Sequence, residues 1–394
     1  MAKATIRDID VKDKRCFCRV DFNVPMKDGR ITDDSRIRAA LPTIEYLAAR
    51  GAKVILASHL GRPKGKVVPE LRLDAVALRL SELLGMKVIK LNDCVGPEVS
   101  VYVSGMSPGS VVLLENVRFY PGEEKNDPDF ARDMASLADI FVNDAFGAAH
   151  RAHASTAGIA AYIPAYAGLL MEKEVEALGR LLENPERPFT AVIGGAKVSD
   201  KLAVLKNLLD RVDNLLIGGG MANTFLMAQG HAVGKSLAEP SMVDEARAIL
   251  EKASLGGKKV LLPVDVVVAR SPEAGVPASV VEAGEIPDDM MALDIGPGAR
   301  KEYVSAVRSS KTVFWNGPLG VFEVEPFRGG TLEMAAALAG VTGFTVVGGG
   351  DSLSAIEMSG LRDKIDHLST GGGASLEFLE GRELPGVSVL IERN

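Results

Sequence analysis

The sequence predicts an α/β protein of two doubly wound, parallel-sheet (Rossmann-like) lobes joined by a helical hinge. Short apolar runs alternate with longer stretches of helical period, the pattern of βαβ units around a parallel sheet. A helical stretch over residues 171–182 runs into Asn184-Pro185-Glu186-Arg187-Pro188, where two prolines stop it and a new apolar run begins at Phe189. The turns that end the apolar runs carry two chemistries, divided between the halves of the chain. In the first half they carry Arg, His, Asn and Asp; in the second they carry glycines with Lys or Asp.

Taken in order, the apolar runs predict strands over residues 16–20, 54–57, 88–91, 111–114 and 140–142 in the first lobe. In the second lobe they predict strands over 190–193, 215–217, 260–262, 313–315 and 345–347. Their nearly continuous apolar character suits strands covered on both faces. A helix over residues 37–50 places Ile37, Leu41, Ile44 and Leu47 on one face, with Gly51 as its stop and Asp33 and Asp34 where an N-cap is wanted. The lobes are expected at residues 1–170 and 189–376, with a hinge helix and linker at 171–188. The segment 377–394 has Gly and Pro punctuation and a short apolar run over 387–391.

Composition narrows the function classes. The 394 residues are 47% hydrophobic and 25% charged, as in an ordinary globular protein. Net charge is −7, distributed as 23 Lys and Arg against 21 Asp and Glu through residue 170, and 22 against 31 thereafter. The basic residues of the first half sit at strand ends rather than in one stripe, so nucleic-acid binding is not expected. Cys16, Cys18 and Cys94 make no even disulfide framework and read as core thiols in a reducing, cytoplasmic setting. The opening residues are mixed polar rather than a signal peptide, and no apolar stretch reaches membrane-spanning length.

In open α/β sheets, ligands bind beyond the carboxyl ends of the strands. Arg36, His59, Arg62, Arg118 and Arg151 fall at helix starts or just past predicted strands. Guanidinium groups grip carboxylate and phosphate bidentately, so this set suits a small, multiply anionic ligand, with Asp21 and Asn23 orienting its hydroxyls. His150 and His153 lack a metal-binding pattern. In the second lobe, Gly194-Gly195-Ala196-Lys197 is expected to open a helix. Lys197 and Lys201 would then be neighbours on one face, repelling each other unless a polyanion lies between them. Gly348-Gly349-Gly350-Asp351-Ser352 and Gly371-Gly372-Gly373 repeat the phosphate-loop theme. The stretch ending Gly234-Lys235-Ser236 lacks the first glycine of a P-loop because Gln229 stands there, and Gly218-Gly219-Gly220 fails the dinucleotide fingerprint.

The blocks Asp21-Phe22-Asn23-Val24-Pro25, Ser58-His59-Leu60-Gly61-Arg62-Pro63, Glu115-Asn116-Val117-Arg118-Phe119, Gly194-Gly195-Ala196-Lys197-Val198, Trp315-Asn316-Gly317-Pro318 and Gly349-Gly350-Asp351-Ser352 closely resemble those of phosphoglycerate kinase. The resemblance runs through essentially the whole chain. It implies reversible transfer of the acyl phosphate of 1,3-bisphosphoglycerate to Mg-ADP, giving 3-phosphoglycerate and ATP in glycolysis, by direct in-line transfer on domain closure in a cytoplasmic monomer. It implies substrate contacts from Asp21, Asn23, Arg36, His59, Leu60, Gly61, Arg62, Arg118 and Arg151. Nucleotide contacts are implied from Gly195, Lys197, Lys201, Gly219, Asn316, Glu323, Gly350, Asp351, Ser352 and Leu353, with Glu323 on the ribose and Asp351 on Mg²⁺. Arg36, Lys197, Gly371, Gly372 and Gly373 would cradle the transferring phosphoryl group, and the C-terminal segment would return to the first lobe. Leu319 stands where the family often has Met, and Leu353-Ser354 replace small alanines. Two other readings remain open: a non-catalytic two-lobe receptor for an anion, and a kinase of the same build acting on a different carboxylate.

Overall fold

The computed structural model describes residues 3–393; Met1, Ala2 and Asn394, the ends of the expected first lobe and of the returning segment, lie outside them. Two compact units emerge, one from Met1–Glu176 with Glu383–Asn394, the other from Ala177–Arg382. The first contains strands β1 (Arg15–Arg19), β2 (Met26–Lys27), β3 (Arg30–Ile31), β4 (Lys53–Ala57), β5 (Val88–Lys90), β6 (Val111–Leu113), β7 (Ile140–Asn143) and β8 (Ala165–Ala167). Its helices are α1 (Ser35–Ala49), α2 (Asp74–Leu84), α3 (Pro97–Ser104), α4 (Pro121–Glu124) and α5 (Pro128–Ala135). Helix α6 (Leu169–Glu183) runs across the division between the units.

Six strands of the first unit form one parallel sheet in the order β5-β6-β4-β1-β7-β8. The central strands are buried along nearly their whole length, as sheets covered by helices on both faces require. Helix α1 packs Ile37, Ala40, Ile44 and Leu47 against them. Its N-terminus differs from expectation in detail. Asp33 accepts the Ser35 N–H at 2.8 Å, whereas Asp34 turns its carboxylate to Arg38 and Arg79. Strand β8 and the short β2–β3 hairpin were not legible as apolar runs.

The second unit begins with β9 (Phe189–Ile193), α7 (Leu202–Leu209), β10 (Asn214–Ile217), α8 (Gly220–Ala228), α9 (Val243–Leu255) and β11 (Lys259–Leu261). Three antiparallel strands follow, β12 (Asp265–Ala269), β13 (Ser279–Glu282) and β14 (Met291–Ile295). Then come α10 (Pro297–Arg308), β15 (Thr312–Asn316), α11 (Gly329–Leu338), β16 (Phe344–Gly348), α12 (Gly350–Ser359), β17 (His367–Leu368) and α13 (Gly373–Leu379). The parallel sheet runs β11-β10-β9-β15-β16-β17. Counted along the chain this is the order 3-2-1-4-5-6, and its direction reverses between β9 and β15, where an α/β sheet opens its ligand crevice.

The helix expected directly after β9 starts later. Residues 194–201 form bends and turns, Lys201 occupies the N-cap of α7 with φ −128°, and Val198 is buried beneath them. Lys197 and Lys201 are therefore not helix-face neighbours, because Val198 takes the inward position and its carbonyl accepts the Lys201 N–H in a tight turn. At the far end, the two units divide at Arg382/Glu383 rather than at 377. Helix α13 stays with the second unit, where Asn207 Nδ2 donates to the Leu379 carbonyl at 2.6 Å. The chain then returns through α14 (Pro385–Ser388). Gly386 accepts from Asn143 Nδ2 at 2.9 Å, and Ile391 donates to Ala165 and accepts from Ala4.

Asp144, one residue past β7, anchors the start of α6. Its Oδ1 accepts the Leu170 and Met171 N–H groups at 2.9 and 3.2 Å, while Thr43 Oγ1 accepts that of Leu169. Burial pushes the Asp144 carboxyl up to about 7, partly offset by the Thr43 hydroxyl and these amides. An unfolded aspartate ionises near pH ~3.9. The folded value is the higher one, so this group's contribution to stability is present at low pH and lost as pH rises through about 7. Asp144→Asn should therefore gain stability relative to the parent between about pH 5 and about pH 8, by on the order of 2–4 kcal/mol. Calorimetric melting at both pH values checks this; melting-temperature differences that do not change with pH would contradict it.

Candidate active site

Beyond the carboxyl ends of β1, β4, β6 and β7, the first unit gathers most of its expected residues into one bonded array. Asp21 Oδ2 accepts from Arg36 at 2.7 Å, and Asn23 Oδ1 accepts the Gly61 N–H at 2.8 Å. Arg118 donates to the Gly61 carbonyl at 2.9 Å, and its Nε lies 3.2 Å from Glu124 Oε1 without hydrogen-bond geometry. Gly61 has φ +64°, and a Cβ there would meet the Leu71 side chain at 2.7 Å, so the turn carrying Leu60 and Arg62 needs glycine. Leu60 is buried; Arg62 and Arg151 are exposed. The Arg151 charge is felt by Arg118 and His153, which places it within the same field. Arg62 adjoins Gly61 in the chain, on the turn that Asn23 and Arg118 hold.

His59 is not a cation in this array. It is 5% exposed, and burial lowers its pKa well below the usual value, helped by the charges of Arg19, Arg118 and Arg36. His153 is lowered to about 4 by burial and by Arg118, Arg19 and Arg151. The positive charge thus resides in arginines, four of them expected and a fifth, Arg19, missed. Arg19 is 1% exposed, and its Nη2 lies 3.1 Å from His59 Nδ1. Its position inside an otherwise apolar run, one residue before the run ends at Val20, was the available signal. Asn116 was quoted only within a motif, yet it sets the backbone of the site. Its Nδ2 donates to the Leu60 and Leu71 carbonyls at 2.8 and 2.9 Å, and its Oδ1 accepts the Arg118 N–H at 3.1 Å.

In the second unit, the ends of β9 and β15 meet backbone to backbone. Gly194 donates to Asn316 O at 2.9 Å and Gly195 to Pro318 O at 3.0 Å. A Cβ on Gly219 would sit 2.7 Å from the Gly195 carbonyl oxygen, so part of the glycine signal reflects this close packing. Gly350, Gly372 and Gly373 differ: nothing lies within 4 Å of an added Cβ, which leaves their faces open to a ligand. Gly371 is buried and donates to Ser369 Oγ at 3.3 Å. Lys201 Nζ donates to the carbonyl and side-chain oxygens of Asn316, while Asn316 Nδ2 donates to Gly348 O at 2.8 Å. Burial lowers the Lys201 pKa to about 8, against the opposing pull of Asp351. Lys197 is exposed and acts on Glu239, whose carboxylate holds Ser199. Ser352 is buried, its Oγ accepting the Gly317 N–H at 2.6 Å, and Leu353 packs against the core beside Ile356. The side chains of Ser352 and Leu353 therefore help to support the loop.

A cavity of about 470 Å³ lies beside this crossing, lined by Gly195, Gly219, Glu323 and Asp351 among the expected residues. Its apolar wall comes from Leu237, Pro263, Val266, Leu293 and Val321, several of them on the antiparallel strands that the sequence did not reveal. Lys235, from the stretch that fails as a P-loop, also lines it. So does Asp294, which is raised to about 6 by burial while accepting from Gly330 N and Arg300 at 2.8 Å each. An apolar slot with a carboxylate at its rim, opening towards glycine turns, suits a planar base, a ribose and a phosphate chain.

Comparison with known proteins agrees with this geometry. The family model described as phosphoglycerate kinase matches residues 6–382. A phosphoglycerate kinase of Moorella thermoacetica is 61% identical over 393 residues, covering 100% of both chains. Among solved structures, phosphoglycerate kinase from Coxiella burnetii aligns with TM-score 0.92 at 46% identity, and that from Pyrococcus horikoshii with 0.84 at 36%, each covering 98% of both chains.

The three bonds of Asn116 generate a prediction. Asn116→Ala strands the buried Leu60 carbonyl and the partly buried Leu71 carbonyl, and frees the turn that carries His59 to Arg62. It should weaken 3-phosphoglycerate binding on the order of tenfold while leaving ADP affinity unchanged. Titration calorimetry with each ligand checks this; an equal loss for both would show general destabilisation instead.

Proposed function

The chain belongs to the phosphoglycerate kinase family, and from that membership we propose how its own residues divide the reaction. It transfers the acyl phosphate of 1,3-bisphosphoglycerate to ADP, reversibly, giving 3-phosphoglycerate and ATP, a step of glycolysis. The observation that carries the division is chemical. Arginines with a neutral histidine line one unit's strand ends, and open glycine turns with Lys201 and Asp351 line the other's.

In our reading, 3-phosphoglycerate binds the first unit through Asp21, Asn23, Arg36, His59, Leu60, Gly61, Arg62, Arg118 and Arg151. Asp21 holds the Arg36 guanidinium by one nitrogen, and the side chain remains 35% exposed, free to face an anion. The nucleotide takes the cavity of the second unit, with Glu323 at the ribose and the phosphates towards Lys197, Lys201, Asn316 and the amides of Gly350, Ser352 and Leu353. The α12 N-terminus favours negative charge there. Asp351 is exposed in the first turn of α12. A lone carboxylate beside phosphates fits Mg²⁺, which keeps several waters and needs only one or two protein ligands. When bound, Mg²⁺ neutralises charge on the phosphate oxygens.

The group that attacks ATP in reverse is a carboxylate, already ionised near neutral pH, so the chain need not supply a general base. What remains is positioning and charge neutralisation. We assign these to Arg36, Lys197 and the turn of Gly371, Gly372 and Gly373. With acid and nucleotide held by different units, in-line transfer requires the units to close and exclude water. A cytoplasmic monomer belongs to the same proposal, and its three free, buried thiols suit a reducing compartment.

ATP consumption with 3-phosphoglycerate, coupled to reduction by glyceraldehyde-phosphate dehydrogenase, tests the activity; absence of NADH oxidation would overturn it. Arg36→Ala should lower kcat by on the order of 10²-fold or more with the fold intact. Near-normal turnover in that variant would remove Arg36 from its assigned role. Lys201→Ala should mainly weaken nucleotide binding, and unchanged ADP affinity by calorimetry would contradict that.

A further inference from the structure

A buried acid lies beneath the arginine array and touches none of the residues assigned to the ligand. Glu123, at the end of α4, is fully buried, and its carboxylate accepts the Ser155 N–H at 2.9 Å and the Ser155 hydroxyl at 2.6 Å. A hydroxyl has one proton. Having given it to Glu123, Ser155 Oγ can only accept, and it accepts from Arg19 Nε at 2.8 Å. Arg19 spends Nη1 on the Val20 carbonyl and directs Nη2 at His59 Nδ1, 3.1 Å away.

The direction of this relay is fixed by valence. A guanidinium has donors and no acceptor. His59 Nδ1 must therefore present its lone pair to Arg19, which leaves the imidazole proton on Nε2. The other charged or titratable groups around His59 do not reverse this. Asp21 Oδ1 is 3.9 Å from Nδ1, beyond hydrogen-bond range, and Arg36, Arg118 and His153 all disfavour a second proton. Glu123 supplies the charge that a fully buried guanidinium needs as a partner, acting across Ser155.

We propose that Glu123 and Ser155 are positioning residues that hold Arg19 so that His59 meets its ligand as a neutral donor through Nε2. The site then offers the acid an N–H of fixed direction among the arginines. This rests on reading the first unit as the 3-phosphoglycerate site, but the tautomer itself is a property of the free protein and can be measured without substrate.

The test is long-range ¹H–¹⁵N spectroscopy of the intact protein labelled in its five histidines, with His59→Gln identifying the His59 signals. The parent should show His59 as the Nε2–H tautomer, unchanged from about pH 6 to about pH 8. An Nδ1–H or imidazolium signature there overturns the proposal. In Glu123→Gln, and more weakly in Ser155→Ala, the second tautomer should appear. The KM for 3-phosphoglycerate should rise on the order of tenfold, with that for ATP within about twofold. Unchanged tautomer and KM in both variants also overturns it. Should either variant fail to fold, the parent spectrum still decides. A parent that shows the predicted tautomer but no turnover of 3-phosphoglycerate would refute the substrate reading alone.

Discussion

Strands β1, β4, β7, β9 and β15 are buried on both faces, and a charge placed within them would lose its water without gaining a partner. Polar chemistry is displaced to the carboxyl ends, where chain after chain of the parallel sheet delivers it to the same edge. Everything functional in this protein follows from that displacement. In the first unit, Asp21, His59, Arg118 and Asp144 each stand within a few residues of a strand's last position. In the second, Gly194 and Asn316 end adjacent strands and bond directly at 2.9 Å. Arg19, a charged side chain on a buried strand end, needs support from all sides, and it receives Ser155, Glu123, the Val20 carbonyl and His59.

In the proposed division of binding, the two units solve different problems with that edge. A small acid has few atoms, so it must be met by long side chains that reach it. Those side chains must be stopped from collapsing onto one another. Asp21 restrains Arg36, Gly61 O restrains Arg118, and Asn116 holds the turn between them. A nucleotide is large enough to be met by backbone. There the limit is steric, and glycines serve twice, packing β9 against β15 and leaving Gly350, Gly372 and Gly373 uncovered. The antiparallel strands β12 and β14 complete the apolar wall.

Uninterrupted apolar runs made the ten principal strands legible, because a strand covered on both faces can carry little else. Strand β13 is largely exposed, β17 has two residues, and β8 offers only Ala-Tyr-Ala, so none of them leaves that signature. The identities of the charged site residues could be read from their types. Their states could not. His59 looks like a cation until Arg19, forty positions earlier, is found against its Nδ1. The spacing of Lys197 and Lys201 suggested a helical face, but buried Val198 bends the chain between them, and only Lys201 reaches Asn316. Ser352 read as a nucleotide contact, and its hydroxyl oxygen additionally accepts the Gly317 N–H. For His59 and Ser352 the deciding partner is remote in sequence; for the lysine pair it is the burial of the residue between them.

The division of binding between the units is tested most directly by backbone amide chemical shifts. These would be recorded with 3-phosphoglycerate alone and with ADP alone. The account predicts that the acid moves resonances of the turns after β1, β4, β6 and β7, while ADP moves those after β9, β15 and β16. Acid-induced shifts centred on residues 349–353 or 371–373, or ADP-induced shifts centred on Asn23, His59 and Gly61, would contradict it.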